Sequence, residues 1–154
     1  MNEIYSDRVE KQIELQASVS RVWGALTDSN EFGEWFRVKM DGPFVAGQAV
    51  QGHITYPGYE HLKWEIVVQA IEPEKLFSFT WHPYAIDPKV NYSKEIPTLV
   101  EFRLEKTESG ALLKVTESGF DKVPAERRLL AFRMNDRGWA EQMKNIEQYV
   151  AQKA

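Results

Sequence analysis

The feature that most constrains the fold is a change in hydrophobic period along the chain. In the first three quarters, apolar residues recur at every second position in short segments, near residues 9–15, 50–56, 64–68, 77–81, 100–104 and 113–117. After Pro124 they recur at steps of three, four and seven, at Leu129, Phe132, Trp139, Met143, Ile146 and Val150. A period of two is typical of a strand with one buried face, and the longer steps are typical of an amphipathic helix. The chain therefore combines a set of strands with one long helix.

The connections between these segments predict how they assemble. Residues 18–20 offer hydroxyl N-caps for a short helix, and residues 31–36 form a second helical turn. Short polar turns join most of the strands, which favours antiparallel pairing because parallel neighbours need a long crossover. We therefore predict an α+β fold with two short helices after strand 1. A curved antiparallel sheet of about six to seven strands would wrap around the long C-terminal helix and leave a wedge of space between them.

Composition excludes several classes of function. The 154 residues suit one domain over 1–154, and a net charge of −4 with no basic block disfavours nucleic acid and anionic membranes as partners. The absence of cysteine excludes disulfides, thiolate zinc sites and iron–sulfur clusters. No apolar run approaches the roughly 20 residues that span a bilayer, and no signal-peptide pattern opens the chain. We expect a cytoplasmic protein that is a monomer or a homodimer.

Motifs for metal, nucleotide or nucleophile chemistry are missing from the sequence. His53, His61 and His82 have no second histidine or carboxylate at a ligand spacing, so we predict no metal site. No glycine-rich phosphate loop and no G-x-S-x-G elbow are present. We therefore expect no cofactor and assign no catalytic residue, and we favour a protein that is not an enzyme.

Glu117 is the most informative single residue. It shares the inward face of its strand with Leu113 and Val115 by simple alternation. A carboxylate on a buried face needs a partner such as an arginine, a tyrosine hydroxyl or a tryptophan indole. Glu117 is then either a polar anchor for a ligand, with a general base as the weaker alternative, or a strand-end residue that reaches water.

Aromatic residues are numerous, with five Trp, six Tyr and eight Phe. Such side chains either fill a core or line a cavity for an apolar ligand. Asn135 interrupts the apolar stripe of the last helix, where the helix could face something other than packed core. On the cavity interpretation, the candidate ligand residues are Trp35, Tyr56, Trp64, Phe77, Phe79, Trp81, Tyr84, Tyr92, Phe102, Glu117, Phe132, Asn135, Trp139 and Met143.

The connection at residues 82–97 is long and rich in proline. A loop of this length in a compact domain has a function or is disordered more often than it is a plain connection. One hypothesis is that it covers an entrance to the space between sheet and helix, with Tyr84 and Tyr92 as amphipathic cover. The alternative is a loop that only packs outside the sheet.

The arginines near the start of the last helix, from Arg127 to Arg137, are interpreted as a solvated face.

Several local sequences resemble a known superfamily. Residues 21–28 and 34–36 resemble the "VWxALT(D)…W(F)" opening of the START-like helix-grip (SRPBCC) superfamily. Leu76–Trp81 resembles its "L-x-F-x-W" strand, residues 109–120 its "GTxLxxxxxGF" strand, and residues 138–139 the "GW" of its last helix. Within the superfamily, the chain is most similar to the AHSA-type branch, named for the activator of the Hsp90 ATPase, and to its bacterial single-domain members.

The resemblance implies a helix-grip fold and leaves three functions open. The first is binding of a small hydrophobic or aromatic molecule in a cavity between the sheet and the C-terminal helix. The second is a co-chaperone-like module with a chaperone as partner, which only the branch name suggests. The third is a cavity enzyme of the cyclase or hydrolase type, for which Glu117 is the one carboxylate that alternation places inside. We rank them in this order.

Overall fold

The computed structural model describes residues 7–83, 89 and 91–152 of the chain. In this part of the chain, seven strands and three α-helices alternate with turns and two short 3₁₀ segments, Tyr92–Lys94 and Phe120–Lys122. The elements are β1 (Arg8–Leu15), α1 (Val19–Thr27), α2 (Ser29–Phe36), β2 (Val38–Met40), β3 (Ala49–Ile54), β4 (Lys63–Glu72), β5 (Leu76–Trp81), β6 (Thr98–Lys106), β7 (Ala111–Ser118) and α3 (Ala125–Gln152).

The seven strands form one antiparallel sheet in the order β1-β7-β6-β5-β4-β3-β2. Consecutive strands are neighbours from β2 to β7, although the connection between β5 and β6 is long, while β1 lies beside β7 at the far end of the chain. The sheet is curved and open, and α3 packs across it. The predicted α+β architecture, including the two short helices after β1, is confirmed.

The short helices begin and end where their side chains cap them. The Ser18 hydroxyl accepts a hydrogen bond from the Arg21 amide at 3.1 Å and starts α1. The Asp28 carboxylate accepts from the amides of Asn30 and Glu31 and starts α2. Arg37 ends α2 in the left-handed conformation, with φ of 70°. The two short helices place Phe36, the last residue of α2, against Gln142 in α3.

Helix α3 buries one stripe against the sheet, as its period predicts. Trp139, Met143 and Ile146 are all buried, which confirms the face that the sequence assigns to the core. In the described ranges, no helix is both long enough and apolar enough to cross a membrane.

The space between sheet and helix is filled by rings over most of its length. Phe77, Phe79 and Phe102 are completely buried, and their centroids lie 5.8–6.1 Å apart. The Phe102 ring also meets the Trp139 ring of α3 at 5.6 Å. The predicted wedge is therefore closed here, because rings from the sheet reach the helix directly and pack as core.

Candidate functional site

Glu117 lies inside the protein, near the end of β7. Its neighbours across the sheet are Val9 on β1 and Val100 on β6, and its exposed fraction is 0%. The alternative in which Glu117 reaches water from the strand end is therefore wrong. The alternation of buried and half-buried residues continues to the end of β7 and keeps the carboxylate on the covered face.

Four side chains donate hydrogen bonds to the Glu117 carboxylate. Oε2 accepts from Trp81 Nε1 and from Thr98 Oγ1, each at 2.6 Å. Oε1 accepts from Trp139 Nε1 at 2.9 Å and from Asn135 Nδ2 at 2.8 Å, and this amide nitrogen also lies 3.1 Å from Oε2. The donors come from β5, β6 and α3, so one carboxylate joins three elements to β7. We call these five residues the Glu117 assembly.

All four donors are neutral, and this arrangement fits an ionised carboxylate. A protonated Glu117 would have to give its hydrogen to an acceptor, and Thr98 has the one hydroxyl oxygen among the four donor atoms that can accept. Burial raises the pKa of Glu117, while the hydrogen bonds from Thr98, Trp81, Trp139 and Asn135 act in the opposite direction. When Glu117 is ionised, neutral hydrogen-bond donors stabilise its charge in the interior in place of an ion pair.

The same argument orients the Asn135 side chain. A carboxylate accepts hydrogen bonds and donates none, so the amide nitrogen of Asn135 must face Glu117. The carbonyl oxygen, Oδ1, is thereby turned away from the assembly. Asn135 is also one of the residues that line the concavity described next.

A small concavity of about 80 Å³ lies next to the Glu117 assembly and opens to solvent. Its lining residues are Phe36, Trp81, Asn135, Gly138, Trp139 and Gln142. Four of them belong to α3 at steps of three, four and seven, which places them on one helix face. The other two are the last residues of α2 and β5. The site is thus built where three elements meet.

Three aromatic rings border this concavity and contact one another. The Trp81 and Trp139 centroids lie 5.7 Å apart, and the Phe36 centroid lies 6.2 Å from Trp81 and 6.0 Å from Trp139. Both indoles point their N–H groups at Glu117, which fixes the orientation of their ring planes. Gln142 donates to the Phe36 carbonyl at 3.3 Å and holds the end of α2 against α3.

Gly138 keeps the concavity open from the helix side. A Cβ atom at this position would meet no other atom within 4 Å. Glycine inside a helix is less favourable than alanine by about 1 kcal/mol, so its presence in the middle of α3 is a local weakness. The space that a side chain would occupy remains part of the site.

The predicted site residues divide into three groups. Trp81, Asn135 and Trp139 line the concavity, and Glu117 lies directly behind them. A second set is buried in the core and does not line it: Trp35, Trp64, Phe77, Phe79, Phe102 and Met143. Their rings and side chains pack on one another, so for this set the core interpretation fits better than the cavity interpretation.

Four other candidates lie away from the concavity or outside the described residues. Tyr56 is 53% exposed and does not line the concavity, because β3 ends at Ile54 and the alternation does not continue. Phe132 is half-buried against Phe120, with centroids 5.3 Å apart. Tyr92 packs on the Arg127 guanidinium at 4.9 Å, and Tyr84 lies outside the described residues. The predicted cover by Tyr84 and Tyr92 therefore remains a prediction.

Arg127 corrects the interpretation of the basic residues as a solvated helix face. Its guanidinium donates to the Pro83 carbonyl at 2.7 Å and to the Glu95 carboxylate, and its side chain is 16% exposed. It therefore fastens both ends of the connection between β5 and β6 to the first turn of α3. Long arginine side chains combine apolar packing with directional donors, which periodicity cannot reveal.

Sequence reasoning missed four residues of the site. Thr98 is a single hydroxyl at the start of a strand, and Phe36 and Gln142 are ordinary residues of their helices. Gly138 carried a weak signal, because it falls beside the polar gap in the apolar stripe of α3. The possible partners named for Glu117 did include a tryptophan indole, and two indoles are present.

Comparison with known proteins identifies the family. A sequence profile for "Activator of Hsp90 ATPase homolog 1-like protein" matches residues 16–151, most of the chain. The chain belongs to this family. The comparison with curated proteins gives no significant match.

Solved structures with the same fold are similar over nearly the whole chain. Protein MLL2253 from Mesorhizobium loti is 26% identical, with a TM-score of 0.75, over 96% of this chain and 98% of that one. A protein from Arthrobacter aurescens is 15% identical, with a TM-score of 0.77, over 99% and 90%. The Aha1 dimer from Colwellia psychrerythraea is 17% identical, with a TM-score of 0.67, over 93% and 95%. The last two likenesses show the fold alone.

Proposed function

We propose that this AHSA-type domain binds a small, mostly apolar molecule, without chemical conversion, at the concavity between β5, α2 and α3. The observation that carries the proposal is the open, ring-lined concavity built on the Glu117 assembly. Rings that pack only as core need no opening to solvent, and they need no glycine such as Gly138 beside that opening. Trp81, Phe36 and Trp139 instead present aromatic surface at an accessible site.

The size of the concavity defines what it can hold. Pockets for drug-sized molecules measure roughly 300–1,000 Å³, far more than the 80 Å³ found here. One water needs about 10–15 Å³ of such volume, so the 80 Å³ site accommodates one group equivalent to about five to eight waters. It therefore suits a fragment-sized ligand or the terminal group of a larger molecule whose remainder lies outside.

The hydrogen bonds of Glu117 favour binding over catalysis. A general base needs a free lone pair within reach of the proton that it removes. The four lone-pair directions of this carboxylate already face Trp81, Thr98, Asn135 and Trp139. Its role in the proposal is to hold the two indoles and the amide in place. The site geometry gives no ground for proposing the co-chaperone-like or enzymatic alternatives.

A pair of substitutions at Gly138 tests the proposal. Gly138→Leu places a branched side chain in the concavity, while Gly138→Ala adds one methyl group and serves as the matched control. The purified proteins are examined by native mass spectrometry for retained small molecules. They are then screened by thermal shift against neutral fragments such as indole, phenol and cyclohexanol.

We expect at least one fragment to raise the melting temperature of the wild type and of Gly138→Ala but not of Gly138→Leu. A ligand at one hundred times its Kd stabilises the folded state by about 2.7 kcal/mol, which such a screen detects. A shift that survives in Gly138→Leu contradicts the proposed site, and the absence of any shift or retained molecule contradicts the proposed function.

A further inference from the structure

We infer that the concavity is selective for an N-methylated ammonium group and binds it more tightly than a neutral group of the same shape. This inference rests on the proposed function, because it names the ligand class of the same site. Three observations carry it: the arrangement of the rings, the charge behind them, and the scarcity of acceptors in the lining.

The first observation is the arrangement of Phe36, Trp81 and Trp139. Their centroids lie 5.7–6.2 Å from one another, so the three rings form one contiguous aromatic border of a concavity of about 80 Å³. The face of an aromatic ring carries partial negative charge and attracts cations, with tryptophan the strongest of the three ring types. Several aromatic rings bordering one small space are a feature of sites that recognise quaternary ammonium groups.

The second observation is the charge behind the two indoles. Each donates its N–H to the Glu117 carboxylate, Trp81 at 2.6 Å and Trp139 at 2.9 Å. A hydrogen bond to an anion draws electron density toward the ring, so both ring faces become more negative. Among the described residues, no lysine or arginine lines the concavity, and the donors to Glu117 are all neutral. When Glu117 is ionised, a cation in the concavity would meet the negative potential of this carboxylate with no competing positive charge in the lining.

The third observation separates methylated from primary ammonium groups. A primary ammonium brings three N–H donors that each need an acceptor once water is removed. Asn135 Oδ1 is one such acceptor, while the Gln142 Oε1 atom already accepts from Asn145 at 3.0 Å. A quaternary ammonium needs no hydrogen-bond acceptor and contacts the rings through its methyl groups. The lining therefore favours the methylated form.

The test compares two probes that differ at one atom. Choline carries a quaternary nitrogen where 3,3-dimethylbutan-1-ol carries a carbon, and the two have nearly the same shape. Their affinities for the intact protein are measured by titration calorimetry, with sodium chloride added to the alcohol to match ionic strength. We expect choline to bind at least tenfold more tightly.

Variants connect that preference to the rings and to the charge. Trp81→Leu should weaken choline binding at least tenfold, while Trp23→Leu removes an indole that does not line the concavity and should leave it unchanged. Glu117→Gln should bring the two probes to within threefold of each other. If this variant does not fold, the wild-type comparison and the two tryptophan variants still decide the question.

The outcomes separate this inference from the proposed function. Equal affinities for the two probes, both lost in Gly138→Leu, overturn the ammonium preference and leave small-molecule binding intact. Choline binding that survives Trp81→Leu, or no choline binding up to tens of millimolar, also overturns the preference. A tenfold preference that disappears in Trp81→Leu and is kept in Trp23→Leu supports it.

Discussion

The interior and the mouth of the space between sheet and helix are built from the same strand in different ways. Strand β5 contributes Phe77 and Phe79 to the interior, where phenyl rings pack on one another. Two residues further, it contributes Trp81 to the mouth, where the indole donates to a buried carboxylate. A phenyl ring needs no polar partner, whereas a buried indole N–H does. Along β5, the ring that reaches the site is therefore the one whose N–H needs an acceptor, while the core also holds an indole, Trp35, whose N–H is satisfied by the Ala25 carbonyl.

The largest expected effect comes from the interior. Phe79→Ala should lower the free energy of unfolding by about 3–5 kcal/mol, because it leaves a cavity that the neighbouring rings cannot fill. Urea denaturation measures this loss. Tyr56→Ala, at an exposed position, serves as the control and should change stability by less than about 0.5 kcal/mol. Similar losses in the two variants would contradict the description of the interior as close-packed.

The mouth should respond differently to an apolar replacement. Glu117→Leu keeps a side chain of similar size but leaves two indoles, an amide and a hydroxyl without their acceptor. We expect a loss of about 3 kcal/mol, since each unsatisfied buried group costs roughly 1–3 kcal/mol and the mouth admits some water. Glu117→Gln retains one acceptor oxygen and should lose less. A Leu variant as stable as the wild type would show that the assembly is not a structural requirement.

The pH dependence sharpens the contrast, because Phe77, Phe79 and Phe102 in the ring-packed interior do not titrate, whereas Glu117 behind the mouth does. Burial raises the pKa of Glu117 in the folded protein above its ordinary value of 4.5, so the folded state holds this proton more tightly than the unfolded state. The stability that follows is fully present below pH 4.5 and is lost as the pH rises through the folded-state pKa.

Urea denaturation of the wild type and Glu117→Gln over a pH series measures this effect. The stability of the wild type relative to the variant should fall with rising pH, by at most about 1.4 kcal/mol per pH unit. A difference that stays constant or grows with pH would show that the hydrogen bonds outweigh burial.

The smallest expected effect comes from the glycine at the mouth. Gly138→Ala should raise the free energy of unfolding by about 1 kcal/mol, because alanine is the better helix former and its methyl group meets open space. Thermal unfolding of this variant beside the wild type checks the gain. A destabilised variant would mean that the space at Gly138 is already occupied.

Local patterns account for most of the fold. The period of two across residues 111–118 was enough to place Glu117 inside, because alternation depends only on neighbours in the chain. The same rule failed at Tyr56, where the strand ends two residues earlier than the alternation suggests. Turn residues between 55 and 62 replace the ladder there, and nothing in the spacing of apolar residues marks that boundary.

The composition of the site could not be predicted in the same way. Thr98 lies 19 residues from Glu117 in the chain, and Trp81 lies 36 residues away. Their convergence depends on the register of three strands and on the position of α3. Phe36 reaches the mouth only because α2 ends at that residue and Gln142 holds its carbonyl. These side-chain contacts are determined by tertiary packing, which the hydrophobic period of the sequence does not reveal.

The placement of β1 beside β7 has a consequence for how the domain is made. A ribosome synthesises β1 first, but its one neighbour in the sheet emerges about a hundred residues later. Until then the inward residues of β1, Val9 and Leu15, have no strand to pair with. Helix α3, which covers the sheet, follows later still. The nascent chain must therefore keep its first strand unpaired through most of its synthesis, and the addition of β1 to the edge of the sheet is a late event.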